Sequence, residues 1–217
     1  MVNWSAIDTV LLDMDGTLLD LRYDNYFWLE YLPRRYAAHY GVSDEAATAT
    51  LKKLSDSLHG SLNWYCLDYW SQAIGMDVAA LKLEVQDHVR FRPGAVDFLR
   101  CLHAHGKRCL LVTNAHPKVL ELKLVASTLG EWLHERHSTH SFGLAKENPG
   151  FWHKFQQHTG VDYGRSLFID DSLNVLRRAA AEGLPHLIQV LQPDTTQAVR
   201  PASEFVGIVH FAEIMPT

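Results

Sequence analysis

The chain has little cysteine and no long apolar run. Its three cysteines, Cys66, Cys101 and Cys109, fall into no CxxC pair or other metal or redox spacing. An odd set of this kind excludes a disulfide framework and is expected to be reduced, mostly buried thiols. No uninterrupted apolar stretch approaches the roughly 20 residues that span a bilayer. The opening residues, Met-Val-Asn-Trp-Ser, lack the basic segment and apolar run of a signal peptide. A cytoplasmic location is expected on these grounds. An excess of positive charge is missing too: 25 acidic residues against 20 basic ones leave a net charge of -5. General attraction to nucleic acid or to an acidic membrane surface is therefore not expected. Internal repeats, low-complexity segments and flexible linkers are absent, and nothing implies an obligate protein partner.

What is present suits an ordinary globular chain, and 217 residues can bury a sizeable core, either as one domain or as a core with a smaller insertion. One stretch organises the rest: Val10-Leu11-Leu12-Asp13-Met14-Asp15-Gly16-Thr17-Leu18-Leu19-Asp20. An apolar run from Ile7 to Leu12 reads as a buried strand, closed by two carboxylates and a glycine turn. If extension continued, Asp13 and Asp15 would share one face. Two such carboxylates repel and need a cation or a shared proton.

From Leu21 to Arg92 no strand-like run appears. Trp28, Leu29, Leu32, Tyr36 and Tyr40 recur at helical spacing, and Leu51, Leu54 and Leu58 continue in a second helix. A third helix is expected from Asn63 through Trp70 toward Gly75, and a fourth from Met76 to Val89. Seven of the eight tyrosines lie here, which sets the segment apart from the remainder. After Arg92-Pro93-Gly94 helices and strands alternate. Strands are expected at 109–112, 134–138, 166–169, 186–190 and near 205–209, with helices at 95–105, 117–129, 151–159 and 173–182. This alternation argues for an α/β fold, a Rossmann-like parallel sheet with helices on both faces. The helical segment 21–92 is then an insertion between the two parts of the core, 1–20 and 93–217.

Three expected strands end in polar side chains: Asp13 and Asp15, Thr113 and Asn114, Asp170 and Asp171. A parallel sheet puts all three ends on one edge, and Lys146, in the loop Gly143-Leu144-Ala145-Lys146, can reach it. Four aspartates and one lysine leave surplus negative charge that calls for a divalent cation. An all-oxygen set without clustered His or Cys favours Mg²⁺. A cation, a lysine and a hydroxyl suit a phosphoryl group, and an aspartate can attack phosphorus.

In their order, Asp13-x-Asp15-Gly-Thr, Thr113-Asn114, Lys146 and Asp170-Asp171 resemble the four motifs of the haloacid dehalogenase superfamily. The inserted helices resemble its C1-type cap. The resemblance implies Asp13 as nucleophile and metal ligand. It implies Asp15 as general acid and then base, with its backbone carbonyl on the metal. Thr113 and the backbone near Asn114 hold the phosphoryl group, and Lys146 neutralises it. Asp171 is implied as the direct metal ligand ahead of Asp170, which acts through water. An aspartate at position 15 favours phosphatase or phosphomutase chemistry over dehalogenation. One departure stands out: many members carry proline after the lysine, whereas this chain has Lys146-Glu147-Asn148-Pro149.

Four further stretches, Asp24 to Trp28, Leu62 to Trp70, Thr113 to Pro117 and Ser138 to Gly143, look like the superfamily's bacterial GMP/IMP nucleotidases. That likeness implies a Mg²⁺-dependent phosphohydrolase acting on purine nucleoside 5′-monophosphates. Candidates for meeting the base are Asn25, Trp28, Trp64, Tyr65, Asp68 and Tyr69, since a purine takes a flat apolar partner and an amide or carboxylate edge. The same aromatics could equally pack the helices together. His116 is open between touching substrate and solvating a helix start, and the other histidines show no ligand spacing. A sugar-phosphate phosphatase or mutase, and a non-catalytic phosphate-binding module, stand as the alternatives.

Overall fold

The apolar run near the N-terminus becomes β1 (Thr9–Leu12), which lies inside a six-stranded sheet with every residue buried. It starts two residues later than the run, because Trp4–Ala6 form a 3₁₀ turn first. The computed structural model describes residues 2–216. The other strands are β2 (Arg108–Thr113), β3 (Glu135–Ser138), β4 (Ser166–Asp170), β5 (His186–Val190) and β6 (Val206–Ile208). They lie in the order β3-β2-β1-β4-β5-β6, and every neighbouring pair is parallel. Leu12 pairs with Leu111 of β2 and Ile169 of β4, so the C-terminal ends of these three strands are level. The direction of strand succession reverses at β1, and open α/β sheets bind ligands outside the strand ends at such a point.

Alternation along the strands builds two apolar layers. Val10, Leu12, Leu111 and Ile169 join Phe98, Leu99 and Leu102 of α6 (Ala95–Ala104) and Val119 and Leu122 of α7 (Pro117–Ala126). Leu11, Leu110 and Phe168 face the other way, onto Trp152 and Phe155 of α8 (Phe151–Thr159) and Val175 and Leu176 of α9 (Leu173–Ala181). Both faces are thus covered, as a parallel sheet requires.

Between β1 and α6 the chain is helical: α1 (Arg22–Tyr26), α2 (Leu32–Tyr40), α3 (Asp44–Leu58), α4 (Leu67–Ile74) and α5 (Val78–Leu83). The two crossings between this segment and the sheet run side by side. Asp20 N–H donates to Arg90 O and Arg92 N–H to Leu18 O, each at 2.9 Å. The buried Arg92 guanidinium pins the crossing to the carbonyls of Gln192 (3.1 Å) and Val209 (3.0 Å).

Local geometry departs from the helical periodicity in three places. The first helix begins at Arg22, and a π-helical turn, Phe27–Tyr31, joins α1 to α2. The expected third helix is split: Leu62–Tyr65 form a 3₁₀ turn, Cys66 is extended, and α4 starts at Leu67. Tyr65 and Tyr69 therefore do not share one helix face. The expected fourth helix is shortened to α5, followed by a 3₁₀ turn at Gln86–His88. Of the cysteines, all free, only Cys109 is buried, and Cys66 and Cys101 are half-buried, short of the mostly buried set expected.

Candidate active site

Strand β1 ends at Leu12 and delivers Asp13 onto the sheet edge, where its N–H still bonds Ile169 O of β4 at 3.1 Å. Gly16 then turns the chain at φ +85°, a conformation that L side chains rarely adopt. A Cβ on Gly16 would lie 2.9 Å from both Asp171 Cγ and Pro193 Cβ, so the turn needs glycine for space as well. Because the chain turns, the two carboxylates do not share a face. They are held by two different lysines.

Asp13 meets Lys146. The ammonium donates to Asp13 Oδ1 (2.5 Å) and to Asp170 Oδ2 (2.6 Å), and all three side chains are almost fully buried. Asp170 is fixed further by the N–H of Ser172 on its Oδ1, 2.8 Å. Asp171 completes the group: carboxylate oxygens of Asp13, Asp170 and Asp171 lie within 4.8 Å of one another. Burial pushes Asp13 up to about 6, against the pull of Lys146 and with the push of Asp170. Burial raises Asp170 and Asp171 in the same way. Lys146 is held above its ordinary value by Asp13 and Asp170, although burial opposes its charge. Arg200 covers the outer side of Asp171 at 3.1 Å.

Asp15 meets Lys123. This lysine of α7 reaches Asp15 Oδ1 (2.5 Å) and Asp24 Oδ2 (2.6 Å) of α1, and Lys82 of α5 donates to the other Asp24 oxygen at 2.9 Å. Both lysines are about 1% exposed. Their ammonium groups lie over aromatic faces: Lys82 over Tyr23, Phe27 and Trp28, Lys123 over Tyr23. Burial pushes Asp15 up, with Lys123 opposing and Asp24 and Asp13 assisting. Against the same penalty, Lys123 and Lys82 hold Asp24 down to about 2. Neither lysine stood out in the sequence. A signal exists nonetheless: Lys123 is four residues beyond Val119 and Lys82 four beyond Val78, so each sits on the buried face of its helix.

The strand end of β2 supplies Thr113 and Asn114, both buried. Thr113 Oγ1 accepts the N–H of Ala115 at 3.0 Å, leaving its proton to donate. Both ends of the Asn114 amide are occupied. Its oxygen takes the N–H of Lys146 (2.9 Å) and its nitrogen donates to Glu147 (2.9 Å). Asn114 thereby fixes the loop that carries Lys146. Glu147, standing where many relatives have proline, accepts the hydroxyl of Tyr65 with its other oxygen, 2.9 Å. The departure is a contact between the inserted helices and the core.

The remaining candidates from the helical segment divide in two. Asn25 donates to Asp194 of the core at 2.8 Å, and Asp68 pairs with Lys118 at 2.6 Å, so both face the junction, with Tyr65. Trp28 packs on Trp70 with ring centroids 4.8 Å apart, and Trp64 donates its indole N–H to Ser55 at 2.9 Å. Tyr69 is partly buried against the main apolar layer. The histidines do not stay apart: His116 and His140, distant in sequence, come together with Cys66.

The motif residues thus converge at the level ends of β1, β2 and β4, as their order along the chain requires. A model of the haloacid dehalogenase-like hydrolases matches residues 7–183. The chain belongs to the haloacid dehalogenase-like hydrolases. Across 216 residues it is 39% identical to "GMP/IMP nucleotidase YrfG" of Escherichia coli K12, covering 100% of this chain and 97% of that protein. The Shigella flexneri protein of the same name matches equally. Among solved structures, a HAD phosphatase from Thermococcus onnurineus shares the fold at TM-score 0.79 and 18% identity, covering 96% of each chain. These are proteins the chain is similar to, and the hydrolase family is what it shares with them.

Proposed function

We propose that this protein releases phosphate from purine nucleoside 5′-monophosphates, GMP and IMP among them, by Mg²⁺-dependent hydrolysis. The observation that carries the substrate class is the 39% identity to a GMP/IMP nucleotidase over 100% of the chain, inserted helices included. The chemistry is supported by the group of buried Asp13, Lys146 and Asp170 with half-buried Asp171.

Three carboxylates within 4.8 Å, two buried and one half-buried and all raised toward protonation, form an oxygen-only donor set that a hard dication fits. Asp13, Asp170 and Asp171 would hold Mg²⁺, with the backbone carbonyl of Asp15, and the ion would neutralise charge on the phosphoryl oxygens. Asp13 attacks phosphorus in line and becomes the phosphorylated residue. Asp15, turned away from this group toward Lys123, protonates the leaving ribose oxygen and then takes the proton of the hydrolytic water. A raised carboxyl suits that donor role. Thr113 donates its hydroxyl proton to the transferring group, and Lys146 compensates its charge. The segment 21–92 acts as a cap over the edge, and Tyr65 on Glu147 is one of its contacts to the loop that carries Lys146.

The test is a panel of nucleoside monophosphates and sugar phosphates, read by phosphate release with Mg²⁺ and with a chelator. Release from GMP and IMP, dependent on Mg²⁺ and lost in Asp13→Asn, is expected. Preferential release from hexose phosphates would overturn the substrate class, and full activity in Asp13→Asn would overturn the mechanism.

A further inference from the structure

Cys66, His116 and His140 come from three separate parts of the chain and meet where the inserted helices rest on the sheet edge. One ligand atom from each lies within 4.8 Å of the others. Cys66 immediately precedes α4, His116 immediately precedes α7, and His140 belongs to the 3₁₀ turn Thr139–Phe142 after β3. The two imidazole rings stand at 81° with centroids 4.9 Å apart. Nε2 of His140 is buried and has no hydrogen-bond partner. A buried polar atom left unpaired is costly, so it asks for an occupant. A neutral imidazole nitrogen without a hydrogen-bond partner is available to a metal ion. Cys66 is in no disulfide and is half-buried. Asp68 stands beside the group, its Oδ2 3.7 Å from His116 Nε2.

We propose that Cys66, His116 and His140 form a site for a borderline-soft transition-metal dication, Zn²⁺ foremost, which ties the helical insertion to the sheet. A thiolate with two imidazoles selects such ions over Mg²⁺, and three protein ligands leave a fourth position for Asp68 or water. On binding, the Cys66 S–H bond is replaced by a sulfur–metal bond and the proton passes to solvent. The site is chemically separate from the all-oxygen group around Asp13. A second Cys/His group, His103, Cys109 and His134, lies wholly within the core, and one nitrogen of each histidine is engaged there, as His116 Nδ1 is by the N–H of Lys118 at 3.3 Å. His103 Nε2 bonds Trp132 O at 2.7 Å and His134 Nδ1 accepts the N–H of Cys109 at 3.0 Å. Only the Cys66 group bridges the insertion and the core. Filling it would hold the insertion down and slow turnover. That consequence rests on the function proposed above, whereas the binding does not.

The experiment titrates Co²⁺ alone into the whole protein saturated with Mg²⁺, following near-ultraviolet thiolate-to-cobalt absorption. One Co²⁺ per chain with that absorption is expected. Cys66→Ser should lose the absorption entirely, His140→Gln should weaken binding about tenfold or more, and Cys109→Ser should leave it unchanged. Zn²⁺ should bleach the signal and slow alkylation of Cys66. No thiolate absorption in the unaltered protein, its survival in Cys66→Ser, or its loss in Cys109→Ser would overturn the proposal. Circular dichroism checks that each variant is folded. A protein that binds Co²⁺ as expected but releases no phosphate would fail the functional reading alone.

Discussion

Two buried lysines do similar electrostatic work in different places. Lys146 lies between Asp13 and Asp170, and Lys123 lies between Asp15 and Asp24. The first group is built from the last residue of β4, the turn that follows β1 and the Asn114-pinned loop between β3 and α8. The second crosses from the sheet to the insertion, and Lys82 extends it into α5. In each, the lysine's attraction to two carboxylates offsets the cost of desolvating its charge. Only the second makes the insertion's position part of that balance. The Asp15 carboxylate is therefore held by a cation whose other partner, Asp24, belongs to the helical segment.

The largest expected effect breaks the first group at Asp13, the residue proposed to react. Asp13→Asn should lower phosphate release by at least about a thousandfold, with circular dichroism unchanged, since the amide neither attacks nor carries charge. Lys123→Met tests the second group. It leaves Asp15 and Asp24 without their shared cation, and removing one partner of a buried pair costs about 3–5 kcal/mol. Urea unfolding should show that loss, and Lys123→Met with Asp24→Asn should recover part of it. Equal stability of the single and double variants would show that the lysine is not balanced by Asp24. Gly16→Ala strains φ +85° and presses on Asp171. A stability loss of about 1–3 kcal/mol is expected, together with a higher Mg²⁺ concentration for half-maximal activity.

What burial does with no opposite charge to offset it can be read at Cys109, whose thiol burial pushes up to about 12 from an ordinary 9. Its folded value is the higher, so the unfolded chain loses this proton first. The contribution is intact below pH 9 and falls as pH rises from 9 toward 12. The difference in urea midpoint between the protein and Cys109→Ala should shrink over that window; a constant difference would remove the burial effect. Smallest is Tyr65→Phe, which removes the hydroxyl from Glu147. About 0.5–1.5 kcal/mol of stability is expected to go.

The first group was legible because its residues sit at punctuated positions: a carboxylate after an apolar run, a glycine after it, polar residues after later strands. Those signals are local, and a parallel sheet brings them together without further information. The insertion was legible as helical through its periodicity, but its breaks were not. The extended Cys66 and the π-turn at Phe27–Tyr31 depend on packing against neighbours that periodicity does not contain. Lys82 and Lys123 stayed hidden for a related reason. A lone lysine on a helix defaults to solvent, and only a carboxylate from a distant segment makes its burial tolerable.

By itself, then, the chain determined its class, the edge on which its chemistry gathers and the order of its motif residues, because strand ends and turns are written in neighbouring residues. Tertiary structure decided the partners. It turned Asp15 away from Asp13 toward Lys123, gave Asn114 to the lysine loop and set Glu147 against Tyr65. It also drew Cys66, His116 and His140 together. Such pairings join residues far apart in sequence, and short-range electrostatics and hydrogen bonding act on distance in space.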